Sequence, residues 1–144
     1  MKRIRSQFIC FIVCFLLASV SLSEEKPMSP DNIPGSTKVN AERLIELASE
    51  KPNLIIIDSR IRNDRIQGYI EGSLSLPDEE TDCDALGRLI PAKDHETLYY
   101  CNGPKCGRSV KAVKIALACG YSNVYWFRGG FEEWKNKNYP MLMD

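Results

Sequence analysis

The segment with the most chemical content runs from Cys101 to Ser109 and reads Cys-Asn-Gly-Pro-Lys-Cys-Gly-Arg-Ser. An apolar run ends at Tyr100 and a helical pattern follows Ser109, so a cysteine lies at a strand end, in a loop that leads into a helix. Backbone N–H groups converge in such a loop, and the helix N-terminus adds roughly half a positive charge. Both stabilise a thiolate, which is the nucleophilic form of cysteine. The segment therefore predicts a reactive cysteine, Cys101.

The same loop carries a second thiol, Cys106, with four residues between it and Cys101. Three roles stay open for Cys106: a packing residue of the loop, a disulfide or resolving partner for Cys101, or the nucleophile itself, because it lies closer to the helix. A disulfide needs Cα atoms about 4.4–6.8 Å apart, and a turn at Gly103 and Pro104 would bring the two cysteines that close. In an oxidising compartment the pair would then act as a redox switch.

The N-terminus has the pattern of an export signal. Lys2, Arg3 and Arg5 are basic, residues 8–20 are apolar, and Ser21-Leu22-Ser23 places small residues at the spacing of a cleavage site. The apolar run suits a signal peptide and is too short for an ordinary membrane span. We therefore expect residues 1–23 to be removed, giving a periplasmic or secreted product that does not span the membrane. An uncleaved N-terminal anchor is the alternative.

Removal of the signal peptide would leave a slightly acidic chain. The sequence has 19 basic and 19 acidic residues, and loss of three basic residues leaves 16 against 19, a net charge of −3. That charge argues against nucleic acid as a partner. Residues 24–35 contain three prolines and no apolar periodicity, which predicts a linker. Residues 36–144 predict one domain, expected to be a monomer.

Two further cysteines, Cys83 and Cys119, are expected to stay unpaired. An even number of cysteines in an exported chain invites a disulfide interpretation. Cys83, however, lies in a polar stretch, residues 78–94, that predicts irregular structure. Cys119 lies at a predicted helix end beside Gly120. Their placement therefore argues against a bond between them.

Apolar runs and turn residues predict alternating strands and helices. Strands are expected near residues 37–39, 54–57, 73–76, 97–100 and 124–127. Helices are expected after residue 40, within 62–69, from 108, and around 133–134. This alternation predicts an α/β fold with a central, mostly parallel sheet and helices on both faces. Sites in such sheets lie beyond the C-terminal ends of the strands, where Asp58, Arg60, Cys101 and Arg128 all fall.

Three separated motifs resemble those of the rhodanese family of sulfurtransferases. They are Asp58-Ser59-Arg60 followed by Gly68-Tyr69-Ile70-Glu71-Gly72-Ser73 and Pro77, the 101–109 loop, and Gly129-Gly130-Phe131-Glu132-Glu133-Trp134. Together they cover about residues 36–140. Two departures stand out. Tyr69 replaces a histidine of the family motif, and seven residues separate Cys101 from Ser109, two more than in the family's usual loop.

The resemblance implies a rhodanese-like α/β fold and an activity. The activity would move a sulfane sulfur from a small anion such as thiosulfate to a thiophilic acceptor, a thiol or another protein. Cys101 would carry the sulfur as a persulfide. The amide cradle and substrate contacts would come from Asn102, Gly103, Lys105, Cys106, Gly107, Arg108 and Ser109.

Charged side chains would complete this site. Arg60, Lys105 and Arg108 would form a cationic rim for the dianion, and Asp58 is expected to order the loop or Arg60 rather than to act as an acid or base. No cofactor is required. A metal site is not expected, because the two loop cysteines have no second pair of ligands near them in the sequence.

Two other functions remain as alternatives. One is a non-catalytic sulfur carrier, or a redox-responsive binding module, on the same fold. The other is a cysteine phosphatase or arsenate reductase, which places five residues between its cysteine and an arginine. Here six residues separate Cys101 from Arg108 and no histidine precedes the cysteine, which weighs against that class.

Overall fold

The computed structural model describes residues 26–143, so the predicted signal peptide lies outside the described residues. The strands are β1 (Ser36–Val39), β2 (Ile55–Asp58), β3 (Leu74–Ser75), β4 (Thr97–Tyr100) and β5 (Val124–Phe127). The helices are α1 (Ala41–Glu50), α2 (Arg62–Arg65), α3 (Cys83–Leu89), α4 (Arg108–Ala118) and α5 (Gly130–Asn136). No helix in this part of the chain combines the length and apolar character that a membrane crossing requires.

Within these residues the five strands form one sheet, in the order β1-β5-β4-β2-β3, and every neighbouring pair is parallel. The predicted α/β fold is therefore confirmed. Continuous apolar runs explain the central strands, because a strand covered on both faces needs apolar residues at every position. In β2, Ile57 packs into one core cluster and Ile56 into the other.

Helices cover the two faces of the sheet. Leu86 of α3 and Val113 of α4 belong to one core cluster, whereas Leu44 of α1 and Trp134 of α5 belong to the other. Asn40 starts α1 as predicted, since its side chain accepts a hydrogen bond from the N–H of Arg43 at 2.9 Å. This arrangement leaves the C-terminal strand ends free to carry a site.

The prediction of irregular structure for residues 78–94 was wrong in its centre, which forms α3. Asp82 caps this helix by accepting a hydrogen bond from the N–H of Ala85 at 2.7 Å. Ala85 and Leu86 are buried against the sheet. An aspartate that accepts from the third residue beyond it is a strong helix start, and the surrounding acidic residues hid that signal in the sequence.

The prediction that Cys83 and Cys119 stay unpaired was also wrong. The two form a disulfide with their Cα atoms 5.5 Å apart. Cys83 is the first residue of α3 and Cys119 follows the last residue of α4. The bond therefore joins two helices that pack on the same face of the sheet, across 36 residues of sequence.

Replacing both cysteines, as Cys83→Ala/Cys119→Ala, should lower the free energy of unfolding by about 2 to 4 kcal/mol, because a cross-link of this length restricts the unfolded chain. Urea unfolding of the variant and of the oxidised wild-type protein measures the difference. The wild-type protein with this bond reduced is the matched control and should resemble the variant. A change below about 0.5 kcal/mol would show that the bond contributes nothing.

Residues 29–35, within the segment expected to be a linker, lie against the domain. Ile33 is 3% exposed and belongs to the core cluster under α4. The N–H of Ser29 donates to the carbonyl of Pro104 in the 101–109 loop at 2.7 Å. Arg128 donates to the carbonyls of Ser29 and Pro30, both at 2.9 Å. The segment therefore supports the loop that carries the candidate nucleophile.

Candidate active site

The sheet brings the two predicted chemical motifs to one edge. β2 and β4 are neighbours, with Asp58 opposite Tyr100 in the register. Asp58 is the last residue of β2, and Cys101 is the first residue after β4. Both are buried. A carboxylate and a thiol therefore lie at the same C-terminal edge of the sheet, below the surface, each with its own set of partners.

Asp58 is held by hydrogen bonds from three side chains. Arg60 donates from Nε at 2.9 Å and from Nη2 at 2.7 Å. Arg65 donates from Nη1 at 3.1 Å, and the Tyr100 hydroxyl donates at 2.8 Å. Burial raises the pKa of Tyr100 above its ordinary value, so its hydroxyl remains a donor. The carboxylate of Asp58 thus has a structural role, because its oxygens already accept hydrogen bonds from these side chains.

Arg60 does not lie on the substrate rim where the sequence analysis placed it. Its side chain is 1% exposed. Its guanidinium carbon lies 4.2 Å from the centre of the Phe131 ring, and Nη2 donates to the carbonyl of Gly68 at 2.9 Å. The paired Asp58 and the aromatic ring keep this cation inside the protein. Arg60 therefore links β2 to α5 underneath the loop.

Helix α5 anchors the loop by its first amides. The N–H of Phe131 donates to the carbonyl of Cys101 at 2.8 Å, and the N–H of Glu132 donates to the carbonyl of Asn102 at 2.7 Å. Gly130 has a positive φ of 58°, and a Cβ there would overlap the carbonyl oxygen of Cys101. A glycine is required at this position both for the backbone conformation and for the close approach.

The Cys101 side chain points into the protein. The residue is 1% exposed. Its Sγ lies 3.0 Å from Oγ of Ser109 and 3.3 Å from the carbonyl oxygen of Cys106. Ser109 is itself buried, and its Oγ accepts a hydrogen bond from Nε1 of Trp126 at 3.1 Å. A hydrogen bond with the Cys106 thiol, together with burial, raises the pKa of Cys101.

Cys106 is the thiol that faces solvent. It lines a cavity of about 480 Å³ at the mouth of the loop. The N–H groups of Arg108 and Asn102 point at its sulfur, and Nη1 of Arg108 lies 3.9 Å from Sγ. The hydrogen bond from Cys101 and these donors lower the pKa of Cys106 to about 5. Loop amides therefore act on both thiols: those of Asn102 and Arg108 lower the pKa of Cys106, and that of Ser109 acts on Cys101.

The cavity carries charges of both signs. Its charged residues are the cations Lys26, Lys105 and Arg108 and the carboxylates Asp78 and Glu132. Arg108 is held between acids, with Nε 3.6 Å from Asp78 and Nη1 3.9 Å from Asp64. A small anion can therefore bind next to the sulfur, with the carboxylates limiting the excess of positive charge.

The remaining loop residues build the turn and the helix start. Gly103 accepts a hydrogen bond from the N–H of Cys106 at 2.9 Å, and Gly107 accepts one from the N–H of Lys111 at 3.0 Å. The side chain of Asn102 donates to Asp64 at 2.8 Å. Gly107 precedes α4, so the positive end of that helix lies at the thiols.

Sequence reasoning missed the acids of the cavity and the role of Trp126. Asp78 and Glu132 line the cavity and Asp64 lies 3.9 Å from Arg108, and only the folded chain brings these distant residues to the loop. Trp126 is buried, and its indole N–H donates to Oγ of Ser109 beside Cys101. Its N–H was a usable signal, because a buried indole N–H needs an acceptor.

The fold and the site define the class: an all-parallel α/β domain with a thiol pair in a loop that opens a helix. The model of the rhodanese-like domain matches residues 40–137, and the chain belongs to this family. The resemblance stated from three motifs is thereby confirmed.

Individual relatives agree with this assignment. The chain is 31% identical over 97 residues to the rhodanese domain-containing protein CG4456 of Drosophila melanogaster, covering 60% of this chain and 86% of that protein. It is 25% identical over 111 residues to a sulfurtransferase of Allochromatium vinosum, covering 73% of this chain and 94% of the relative. The crystal structure of the BH2092 protein from Bacillus halodurans superposes with a TM-score of 0.65 at 25% identity, over 75% of this chain and 77% of the other.

Proposed function

We propose that this protein is a sulfurtransferase that moves a sulfane sulfur from a small anion such as thiosulfate to a thiophilic acceptor. The observation that carries the proposal is the position of the Cys106 sulfur, which lies 3.9 Å from Nη1 of Arg108 at the mouth of an open cavity. Thiolate formation is what sulfur transfer requires. Membership of the rhodanese-like family and the relative named a sulfurtransferase support the same class.

The chemistry proceeds in two half-reactions. A loop thiolate attacks the outer sulfur of thiosulfate, the sulfur–sulfur bond of the donor breaks, and sulfite leaves with the bonding electron pair. The loop cysteine then holds a persulfide, whose anionic outer sulfur is stabilised by the amides and Arg108. A nucleophilic acceptor such as cyanide or a thiol takes the outer sulfur and restores the thiolate. Such a sequence gives ping-pong kinetics.

The cysteine that holds the persulfide is one of the two loop thiols, Cys101 or Cys106. The sequence motif favours Cys101 as the persulfide residue, whereas the cavity opens on Cys106. The S–H of Cys101 donates to the backbone carbonyl of Cys106 at 3.3 Å, so the two residues are in direct contact. Both arrangements yield the same overall transfer.

We further propose that the protein is exported and works in the periplasm or outside the cell. The basic and apolar pattern of residues 1–23 supports this location. The Cys83–Cys119 disulfide is also typical of oxidising compartments. N-terminal sequencing of protein recovered from the periplasm or medium should begin near Glu24, and material that still began at Met1 would contradict the proposal.

Incubation with thiosulfate should release sulfite in an initial burst that matches the protein in amount. Steady turnover to thiocyanate should follow when cyanide is present. The Cys101→Ser/Cys106→Ser variant is the blank and should do neither. Absence of both sulfite and thiocyanate with the wild-type protein would overturn the function, whereas a burst without steady turnover would indicate a sulfur carrier rather than an enzyme.

A further inference from the structure

We propose that Trp126 is a positioning residue for sulfur transfer at Cys101, because its indole N–H orients the Ser109 hydroxyl toward the Cys101 sulfur. This inference rests on the proposed function and adds to it a residue from another strand. Trp126 belongs to β5, whereas Cys101 follows β4 and Ser109 lies in the first turn of α4. Three elements of the fold therefore meet at one sulfur atom.

The sulfur of Cys101 needs hydrogen-bond donors from the protein, because its side chain is shielded from solvent. Cys101 is 1% exposed, whereas its loop neighbours Gly103 and Cys106 line the cavity. A buried charge without hydrogen-bond partners is costly. The carbonyl oxygen of Cys106 lies 3.3 Å from the sulfur, and this oxygen accepts from the thiol but repels the thiolate. Another group must therefore donate to the sulfur once the proton has left.

The hydroxyl of Ser109 is placed to be that donor. Its Oγ lies 3.0 Å from the Cys101 sulfur, and Ser109 is itself 1% exposed. Within residues 26–143, the other hydrogen-bond partner of this oxygen is the indole of Trp126, at 3.1 Å. An ionised sulfur carries no proton, so its hydrogen bond with Ser109 requires the hydroxyl to donate. Such charge-assisted hydrogen bonds are the stronger kind.

The indole of Trp126 determines the direction of this hydroxyl. An indole N–H donates and cannot accept, so the oxygen of Ser109 accepts from it and keeps one proton to give. The hydrogen bonds then run in one direction, from Trp126 through Ser109 to Cys101. Hydrogen bonds in such a series strengthen one another. The same orientation serves the thiol and the thiolate, so the hydroxyl does not have to rotate when the proton leaves.

Packing holds the indole in place. Trp126 is 1% exposed and lies opposite Tyr99 of β4 in the sheet register. It shares a core cluster with Val110 and Val113 of α4. Loss of the Ser109 hydroxyl would leave a buried N–H without its partner, which is costly in itself. Trp126 therefore ties β5 to the start of α4 at the point where Ser109 meets the sulfur.

Single-turnover release of sulfite from thiosulfate tests the role of Trp126. Protein with reduced loop thiols is freed of reductant and mixed with thiosulfate at a range of concentrations. The proteins are the wild type, Ser109→Ala, Trp126→Phe and the double variant Ser109→Ala/Trp126→Phe. The burst rate at saturation and the thiosulfate concentration at half saturation are determined separately. Peptide mapping after alkylation identifies the cysteine that holds the sulfur.

Both single variants should slow the saturated burst. We expect at least about a tenfold loss for Ser109→Ala, because a hydrogen bond to a charged group is removed. For Trp126→Phe we expect a loss of about threefold to tenfold, because the hydroxyl remains but is no longer oriented. The half-saturating thiosulfate concentration should change by less than about twofold, because neither residue lines the cavity.

The double variant separates positioning from packing. Its burst rate should equal that of Ser109→Ala, because Trp126 acts through the Ser109 hydroxyl and has nothing to orient when that group is absent. A defect of packing would instead add to the loss in both backgrounds. Far-ultraviolet circular dichroism checks that each protein is folded, and Trp126→Leu, which also lacks the N–H, replaces Trp126→Phe if that variant does not fold.

Trp134→Phe is the matched control. The indole N–H of Trp134 also donates inside the protein, to the carbonyl of Pro140 at 2.8 Å, but Trp134 belongs to the other core cluster. This variant loses the same kind of hydrogen bond without touching Ser109. Its burst rate should stay within about twofold of the wild-type rate.

Three results would overturn the inference. They are a Trp126→Phe burst as fast as that of the wild type, a further loss when Trp126→Phe is added to Ser109→Ala, and a wild-type persulfide that maps to Cys106. Each of them leaves the sulfurtransferase function standing. Failure of the wild-type protein to release any sulfite would instead reject the proposed function, and the role of Trp126 with it.

Discussion

Replacing Asp58 with alanine is expected to lower the free energy of unfolding by about 3 to 5 kcal/mol, which is the usual cost of removing one partner of a buried ion pair. The carboxylate accepts hydrogen bonds from Arg60, Arg65 and Tyr100. Without it, the cation of Arg60 stays buried with no opposite charge. Urea unfolding followed by circular dichroism measures the change.

Two further variants sharpen this prediction. Glu71→Ala removes an exposed carboxylate from a turn and should change the stability by about 0.5 kcal/mol or less. Asp58→Asn keeps the size of the side chain and one acceptor but loses the charge. Its change in the free energy of unfolding should lie between those of Asp58→Ala and Glu71→Ala. An Asp58→Ala protein as stable as the wild type would show that the buried cluster does not hold the sheet edge together.

Replacing Cys101 with alanine is expected to slow the alkylation of Cys106 by iodoacetamide at least about tenfold at pH 6.5, because the thiolate fraction falls as the pKa rises. In the wild-type protein the pKa of Cys106 is lowered to about 5, first by the hydrogen bond from Cys101. The wild-type rate should therefore be flat above about pH 6 and fall tenfold per unit below about pH 5. Above about pH 6, where the wild-type rate is constant, the alkylation rate of Cys101→Ala should still rise with pH.

Cys101→Ser is the matched control for this measurement. Its hydroxyl can still donate to Cys106, so its pH profile should lie between those of the wild type and Cys101→Ala. Peptide mapping assigns the alkylated residue in each protein. Identical profiles for the wild type and Cys101→Ala would show that the buried thiol does not support the ionisation of Cys106.

The sheet and the position of the loop were predictable because they depend on local patterns. The run from Leu54 to Ile57 is rich in β-branched residues and favours a strand covered on both faces, and the loop sequence from Cys101 leads directly into an amphipathic helix. The C-terminal strand edge of a parallel sheet then determines where chemistry can lie. These inferences need no knowledge of distant contacts.

The details of the site depend on distant contacts, and there the sequence was insufficient. The side chain of Arg60 points inward because it pairs with Asp58 and packs on the ring of Phe131. Phe131 lies 71 residues after Arg60 in the sequence. The Cys83–Cys119 bond requires two helices to pack side by side. The orientation of the two loop thiols follows from amides of α5 that hold the loop carbonyls. None of these leaves a periodic trace in the sequence.

The anchoring of the loop by α5 has a consequence for the order of events during synthesis. A chain is made from its N-terminus, so both loop thiols are synthesised before Gly130 and the amides of Phe131 and Glu132 that anchor the loop. Until those residues arrive, nothing fixes the carbonyls of Cys101 and Asn102, and the amides that lower the pKa of Cys106 are not yet aligned. The thiols of the incomplete chain therefore keep ordinary reactivity. The loop acquires its reactive arrangement only when α5 has packed against it.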